Sequence, residues 1–288
     1  MWYSNDIMKK WKNYFKAIWE VLSPLFIYWG TTVAVLSAGG ILSMMLGNVL
    51  PAVAAHPYDV VMILSGIAAA WAAYLLWKIE KREMTWYSQP YGHFPGRGVL
   101  LCMGAAVGIS IGGNCLLSLT GISGLPGYGQ ARETVESASH LLTFLNVCIA
   151  APVAEEMIFR VVVYRRLRRR ICVRDAVLVS SLFFAVYHMN LPQACFGFLT
   201  GIVLALFMEA YDNPMAPVLV HMMLNSCSVI LSWSRAGELL GKSRVAQAAA
   251  LLVFGGVLAV SLVPVFRKMK EKWKEKGNET IVHSDSML

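Results

Sequence analysis

Six polar residues in the second half of the chain interrupt runs that are otherwise apolar. They lie in the stretches APVAEEMIFR, FAVYH and HMMLN, and they are Glu155, Glu156, Arg160, His188, His221 and Asn225. A carboxylate can take a proton from water, an imidazole can share that proton, and imidazole or amide N–H groups can stabilise an oxyanion. These residue types together favour hydrolysis.

The same residue types also suffice for a zinc site. Glu155, His188 and His221 would supply one carboxylate and two imidazoles and leave a fourth position open for water. The chain contains no H-E-x-x-H helix and no G-x-S-x-G turn, the patterns of common zinc peptidases and of many serine hydrolases. The residue types leave metal-dependent and metal-free hydrolysis both open, with a preference for the former.

Helical geometry separates the two adjacent acids. Glu156 and Arg160 are four residues apart, so on a helix they share a face and can pair. Glu155 is rotated from Glu156 by about 100°. We expect Arg160 to neutralise Glu156, while Glu155 faces His188 and His221 across a bundle.

The composition indicates where these residues lie. Of the 288 residues, 57% are hydrophobic and 15% are charged, whereas soluble domains carry about 25% charged residues. A helix that crosses a bilayer needs about 20 apolar residues. Eight candidate stretches lie at 19–48, 58–78, 98–120, 138–164, 175–190, 192–209, 214–233 and 245–266. The fifth and sixth are short, and the residues HMNLPQ between them indicate a tight hairpin. The sequence predicts an all-α, polytopic membrane bundle of about eight helices.

Basic residues indicate the orientation of this bundle. Of the 25 Lys and Arg residues, 21 lie in segments that an eight-span topology with both termini cytoplasmic places inside. The net charge of +8 therefore favours membrane lipid as a partner over nucleic acid. We expect a single integral-membrane domain, 1–288, with a core at 140–235, an interfacial amphipathic arm at 1–18 and a basic cytoplasmic tail at 267–288.

The two acids require a polar environment inside the membrane. A charged side chain at the centre of a membrane helix costs about 2.5–3.5 kcal/mol, so both acids must face protein or a water-filled cavity. If the fourth and fifth spans form an antiparallel hairpin with a turn near residue 171, Glu155 and His188 lie at about the same depth. His221 is expected at a shallower depth, unless the Arg-rich connection between the fourth and fifth spans projects into the cytoplasm. The geometry therefore allows one embedded site that is accessible from the cytoplasm.

The three stretches also carry a family resemblance. Glu155–Arg160 matches EExxxR, Phe184–His188 matches FxxxH, and His221–Asn225 matches HxxxN. In this order and on successive spans, they resemble the motifs of the CPBP family. This family contains CAAX prenyl endopeptidases and bacterial proteins linked to bacteriocin processing and self-immunity. The resemblance covers roughly residues 140–235.

The resemblance implies an intramembrane endopeptidase, of a bacterial plasma membrane, that acts on a peptide or protein substrate near the cytoplasmic face. It implies that Glu155 activates water with help from His188, and that His221 and Asn225 bind a metal or stabilise the oxyanion. Supporting roles fall to Glu156, which could share the acid role, and to Arg160 and Phe184.

Two other functions remain as alternatives. A non-hydrolytic immunity or scaffold protein of the same fold would keep a peptide-binding cavity without needing Glu155. A proton-coupled transporter would use intramembrane acids and histidines as a relay, but it predicts an inverted repeat of broken helices, which the sequence does not display. The oligomeric state is left open.

Overall fold

The computed structural model describes residues 2–83, 92–125 and 127–285. Within these ranges the chain forms helices and no β-strand, which confirms the predicted all-α class. The helices are α1 (Trp2–Gly47), α2 (Pro51–Ala55), α3 (Pro57–Glu83), α4 (Gly96–Leu119), α5 (Tyr128–Ser137), α6 (His140–Arg168), α7 (Val173–Tyr187), α8 (Leu191–Tyr211), α9 (Met215–Trp233), α10 (Arg235–Lys242) and α11 (Arg244–Asp285). Met1 of the predicted arm and residues 286–288 of the predicted tail lie outside the described residues.

Seven of the described helices are long and apolar enough to cross a membrane. They are Ile18–Gly47, Pro57–Ile79, Gly96–Leu119, His140–Arg168, Leu191–Tyr211, Met215–Trp233 and Arg244–Lys274. The remaining predicted span, 175–190, coincides with α7, whose 15 residues extend about 22 Å. This length is below the ~30 Å of a bilayer core. The polytopic membrane bundle is confirmed, whereas the number of crossings and the cytoplasmic side of both termini stay predictions.

The backbone divides into two compact units, each built from separate stretches of chain. The first unit comprises Met1–Gln89 and Ser137–Ala176, and the second comprises Pro90–Glu136 and Val177–Leu288. The first unit therefore contains α1 to α3 and α6, and the second contains α4 and α8 to α11. The predicted single membrane domain with its core, arm and tail stays a prediction.

In the first unit, α6 packs against both α1 and α3. At one end the backbone N–H of Ser139 donates to Asp59 Oδ1 at 2.6 Å, which joins the start of α6 to the start of α3. At the other end Arg166 and Arg170 both bond to Glu20, which joins the end of α6 to α1. The helix therefore runs parallel to α3 and antiparallel to α1, as the predicted topology requires.

In the second unit, α4 packs against α9 and α11. Gly104, Gly108 and Gly112 recur every four residues along α4 and face α11. A Cβ added at Gly108 would lie 2.8 Å from the carbonyl oxygen of Phe254, which is closer than such atoms approach. The glycines thus let two membrane helices touch along their backbones, where dispersion contacts replace the missing hydrophobic effect.

The two ends of the second unit also agree with the predicted helix directions. The Ser118 hydroxyl donates to Gln247 Oε1 at 3.2 Å, which places the end of α4 at the start of α11. Trp273 Nε1 donates to Glu209 Oε1 at 3.2 Å, which places the end of α8 beside the later part of α11. Helix α11 therefore runs antiparallel to α4 and parallel to α8.

Candidate active site

Two π-helical segments of α6 flank the adjacent acids. Phe144–Ala150 precedes them and Met157–Tyr164 follows, and the six residues between the segments are α-helical. In the first segment the N–H of Ala151 donates to the carbonyl oxygen of Asn146, five residues back. Pro152 comes next and has no N–H to continue an i→i−4 ladder. Such π segments within α-helices are frequent at functional sites.

Glu155, Glu156 and Arg160, here named the acid group, lie in the first unit and are all buried. The Arg160 Nε lies 3.1 Å from Glu156 Oε2, and both side chains have no exposed surface. The ion pair that the spacing predicts is thus present.

The acid group explains how this charge can exist within a membrane helix. An uncompensated buried ion loses its hydration without replacement, whereas a close opposite charge offsets much of that loss. Arg160 lies one turn beyond Glu156 on the same helix. A residue close in sequence therefore compensates the charge of Glu156.

Phe184, His188, His221 and Asn225, here named the imidazole group, lie in the second unit. His188 directly follows α7, in a turn of three residues before α8. In this turn Met189 adopts the left-handed conformation, with φ 56°, and Asn190 Oδ1 accepts from the backbone N–H of Gln193 at 3.0 Å. The predicted tight connection between these two helices is therefore present.

The hydrogen bond of His188 determines which nitrogen carries its proton. Nδ1 lies 2.8 Å from the carbonyl oxygen of Phe184. Because a carbonyl oxygen only accepts, Nδ1 must be the donor, and the neutral ring then has its lone pair on Nε2. His188 Nε2 is therefore the atom able to accept a proton or bind a metal.

The ring of Phe184 joins the two histidines. Its centroid lies 5.0 Å from that of His188 and 5.6 Å from that of His221, and both contacts are edge-to-face. The ring of Tyr187 makes a third edge-to-face contact, with His188 at 5.6 Å. Phe184 and His221 are buried, so a packed aromatic cluster holds both imidazoles.

Asn225 lies one turn after His221 on α9 and is half-buried. This spacing puts the amide and the imidazole on one face of the helix. One turn further, Ser228 Oγ lies 2.7 Å from Ser110 Oγ of α4. The face of α9 that carries the predicted site residues thus continues into a polar contact with a neighbouring helix.

The zinc ligands that the sequence predicts are Glu155, His188 and His221. Among the described residues, no three His, Cys, Asp or Glu side chains form a group that could hold a metal ion. The Nδ1–H bond of His188 is of the kind that orients zinc-ligating histidines, but one such ring does not make a site. The zinc set of Glu155, His188 and His221 stays a prediction.

Gly197 on α8 is not among the site residues that the sequence predicts. A Cβ added there would lie 3.3 Å from His188 Nδ1, so this glycine borders the predicted site. Only the fold reveals that contact, because nine residues and a turn separate the two positions. For Pro152, by contrast, a signal was available, since a proline within a membrane span predicts a departure from regular α-helix.

The fold defines the class of protein as a helical membrane protein, and its helices carry buried ionisable residues. The family model Type II CAAX prenyl endopeptidase Rce1-like matches residues 137–227. This segment contains all three motifs, and the match confirms the predicted resemblance to the CPBP family. It supports a membrane-embedded protease. No curated protein and no solved structure matches the chain.

Each predicted site residue is described, and the structure brings several of them together. Arg160 contacts Glu156 within the acid group, and Phe184 contacts His188 and His221 within the imidazole group. That the two groups form a single site stays a prediction.

Proposed function

We propose that the protein is an intramembrane endopeptidase that hydrolyses a peptide bond near the cytoplasmic face of a membrane. The observation that supports it most is the acid group, in which two adjacent buried carboxylates lie on an apolar helix and Arg160 pairs with one of them, Glu156. These residues lie inside the segment that matches the CAAX endopeptidase family model. A charge placement this costly in a membrane usually marks function.

In this proposal Glu155 accepts a proton from water as the water oxygen attacks the carbonyl carbon of the peptide bond. His188 assists through Nε2, and the C–N bond breaks as the leaving nitrogen takes up the proton that Glu155 accepted from water. His221 and Asn225 donate to the oxyanion. Glu156 and Arg160 support Glu155 electrostatically, with Glu156 able to share the acid role.

A zinc ion bound by Glu155, His188 and His221 would polarise the carbonyl and acidify water. No step above depends on it. Metal analysis of the purified protein would test this version, with wild type measured beside His188→Ala and His221→Ala. Equal and negligible zinc in all three proteins would exclude the zinc-dependent mechanism.

We propose a peptide or protein as the substrate and the bacterial plasma membrane as the location. The experiment uses the full chain in liposomes with a pool of quenched fluorescent peptides, each with one apolar flank. We expect cleavage by wild type and a loss of about 100-fold or more in Glu155→Gln, because a general base contributes about 10²–10⁴.

Glu238→Gln is the matched control, since Glu238 is an exposed acid paired with Lys242 on α10. This variant should cleave like wild type, because an exposed ion pair contributes little to stability. Full activity in a folded Glu155→Gln protein would refute the role of Glu155. It would favour the non-hydrolytic alternative if wild type bound the peptides without cleaving them.

A further inference from the structure

Two glycines of α8 face α7 across the short turn that contains His188. Gly197 and Gly201 are four residues apart, so they lie on one face of α8. A Cβ added at Gly201 would lie 2.9 Å from Ser181 Cβ and 3.0 Å from its Cα. Gly201 thus lets the backbones of the two helices approach, as small residues commonly do in membranes.

The environment of Gly197 differs from that of Gly201. Its nearest neighbours are two atoms of an imidazole ring: an added Cβ would lie 3.3 Å from His188 Nδ1 and 3.4 Å from Cε1. The backbone of α7 is further away, with the Cα of Ala185 at 3.5 Å. The edge of the His188 ring therefore lies in tight contact with the space that a side chain at position 197 would enter.

This edge carries the hydrogen bond that determines the tautomer. Nδ1 is both the atom nearest Gly197 and the donor to the carbonyl oxygen of Phe184 at 2.8 Å. A methyl group at position 197 would displace the ring by a few tenths of an ångström. A hydrogen bond weakens with distance and misalignment. The displacement would therefore lower the population of the His188 tautomer that has its proton on Nδ1.

We propose that Gly197 is a positioning residue for His188. Its lack of a side chain leaves room for the imidazole to donate from Nδ1 to Phe184 and to present Nε2 to the reaction. The consequence for catalysis rests on the proposed function. The consequence for the tautomer rests only on the contacts within the second unit.

Nitrogen-15 NMR of the full chain, labelled at histidine, tests the tautomer directly. At about pH 9, well above the usual histidine pKa, the two ring nitrogens of a neutral imidazole give distinct signals for N–H and lone pair. The His188 signal is assigned by its loss in His188→Gln. We expect the proton on Nδ1 in wild type and a mixture of tautomers in Gly197→Ala.

Gly201→Ala is the matched control, since it adds the same methyl group to the same face of α8. We expect it to lower the thermal unfolding temperature through its clash with Ser181, while the His188 signal stays as in wild type. A purely structural role for Gly197 would give the same result at both positions.

The second readout is the peptide cleavage assay. Gly197→Ala should lower kcat about 10-fold with little change in KM, because small misplacements of a reacting group affect the chemical step. Gly201→Ala should keep kcat per folded molecule. A His188 proton on Nε2 in wild type would overturn the proposal even if Gly197→Ala failed to fold.

An unchanged His188 signal in a folded Gly197→Ala protein would also overturn the proposal. Failure of the proposed function has a different signature. Cleavage that is insensitive to Glu155→Gln would refute the protease mechanism, whereas the NMR result would still decide whether Gly197 positions the imidazole.

Discussion

The acid group and the imidazole group are held in place by different forces. Glu156 and Arg160 form an ion pair at 3.1 Å, and neither side chain is exposed. The histidines instead contact the ring of Phe184, and His188 adds one hydrogen bond to a backbone carbonyl. Charge compensation stabilises one group, and aromatic packing stabilises the other.

The difference reflects the charge state that each group must keep. A carboxylate within a membrane needs a counter-ion, because the surrounding medium offers no solvation. A neutral imidazole needs only shape and one hydrogen-bond partner, which fix its orientation and tautomer. We therefore expect variants of the acid group to be costlier than variants of the imidazole group.

The largest expected effect is that of Arg160→Met. Removing the guanidinium leaves Glu156 buried without its counter-ion, and such a break costs about 3–5 kcal/mol. Thermal unfolding in detergent would measure the loss. Arg235→Met removes an exposed arginine outside both groups and should change stability by less than about 1 kcal/mol.

The double variant Glu156→Gln with Arg160→Met sharpens this test. Because it contains neither partner of the ion pair, we expect it to recover part of the lost stability. If Arg160→Met alone is as stable as wild type, the acid group does not depend on charge compensation and the comparison fails.

A smaller effect is expected from Phe184→Leu in the imidazole group. This change removes two edge-to-face contacts of about 0.5–1.5 kcal/mol each, so we expect a loss of about 1–3 kcal/mol by thermal unfolding. Phe183→Leu, one residue earlier and half-buried, is the control and should cost less. Equal losses at both positions would show that the contacts with the histidines add nothing.

The smallest losses of stability are expected for a type of interaction that both units contain, a hydrogen bond between side chains of two helices. Asn146 Nδ2 donates to Ser65 Oγ at 2.7 Å in the first unit, and Ser110 meets Ser228 at 2.7 Å in the second. Ser65→Ala and Ser110→Ala should each cost about 0.6 kcal/mol, the average for hydrogen bonds between membrane helices.

Ser226→Ala is the control for this pair, because its hydroxyl bonds only within its own helix, to the carbonyl oxygen of Met222 at 2.7 Å. We expect almost no change in its unfolding temperature. A loss above about 2 kcal/mol in only one of the two test variants would mean that the units differ beyond their site residues.

Much of the fold could be predicted because membrane helices are encoded locally. Seven of the predicted spans coincide with helices long enough to cross. The exception is α7, which is too short because the chain turns at His188, with Met189 in the left-handed conformation and Asn190 capping α8. The polar residues and the proline of the stretch HMNLPQ, residues 188–193, signal this break in the sequence, but they do not show that the remaining helix is too short to cross.

The site was predictable to the extent that its contacts are close in sequence. The pair of Glu156 with Arg160 follows from a spacing of four residues, and so does the contact of Phe184 with His188. The contact between Phe184 and His221 joins α7 to α9, and α8 lies between these two helices in the sequence. No spacing rule indicates it, because it depends on how α7 packs against α9.

The sequence by itself determined the membrane class, the helices and the residues that carry charge into the membrane. These properties depend on apolar run length and on neighbours within one helical turn. Only the tertiary structure decided which nitrogen of His188 carries the proton, which ring joins the two histidines, and which atoms lie beside Gly197. Each of these depends on atoms brought within about 3–6 Å by packing between helices, which no local pattern specifies.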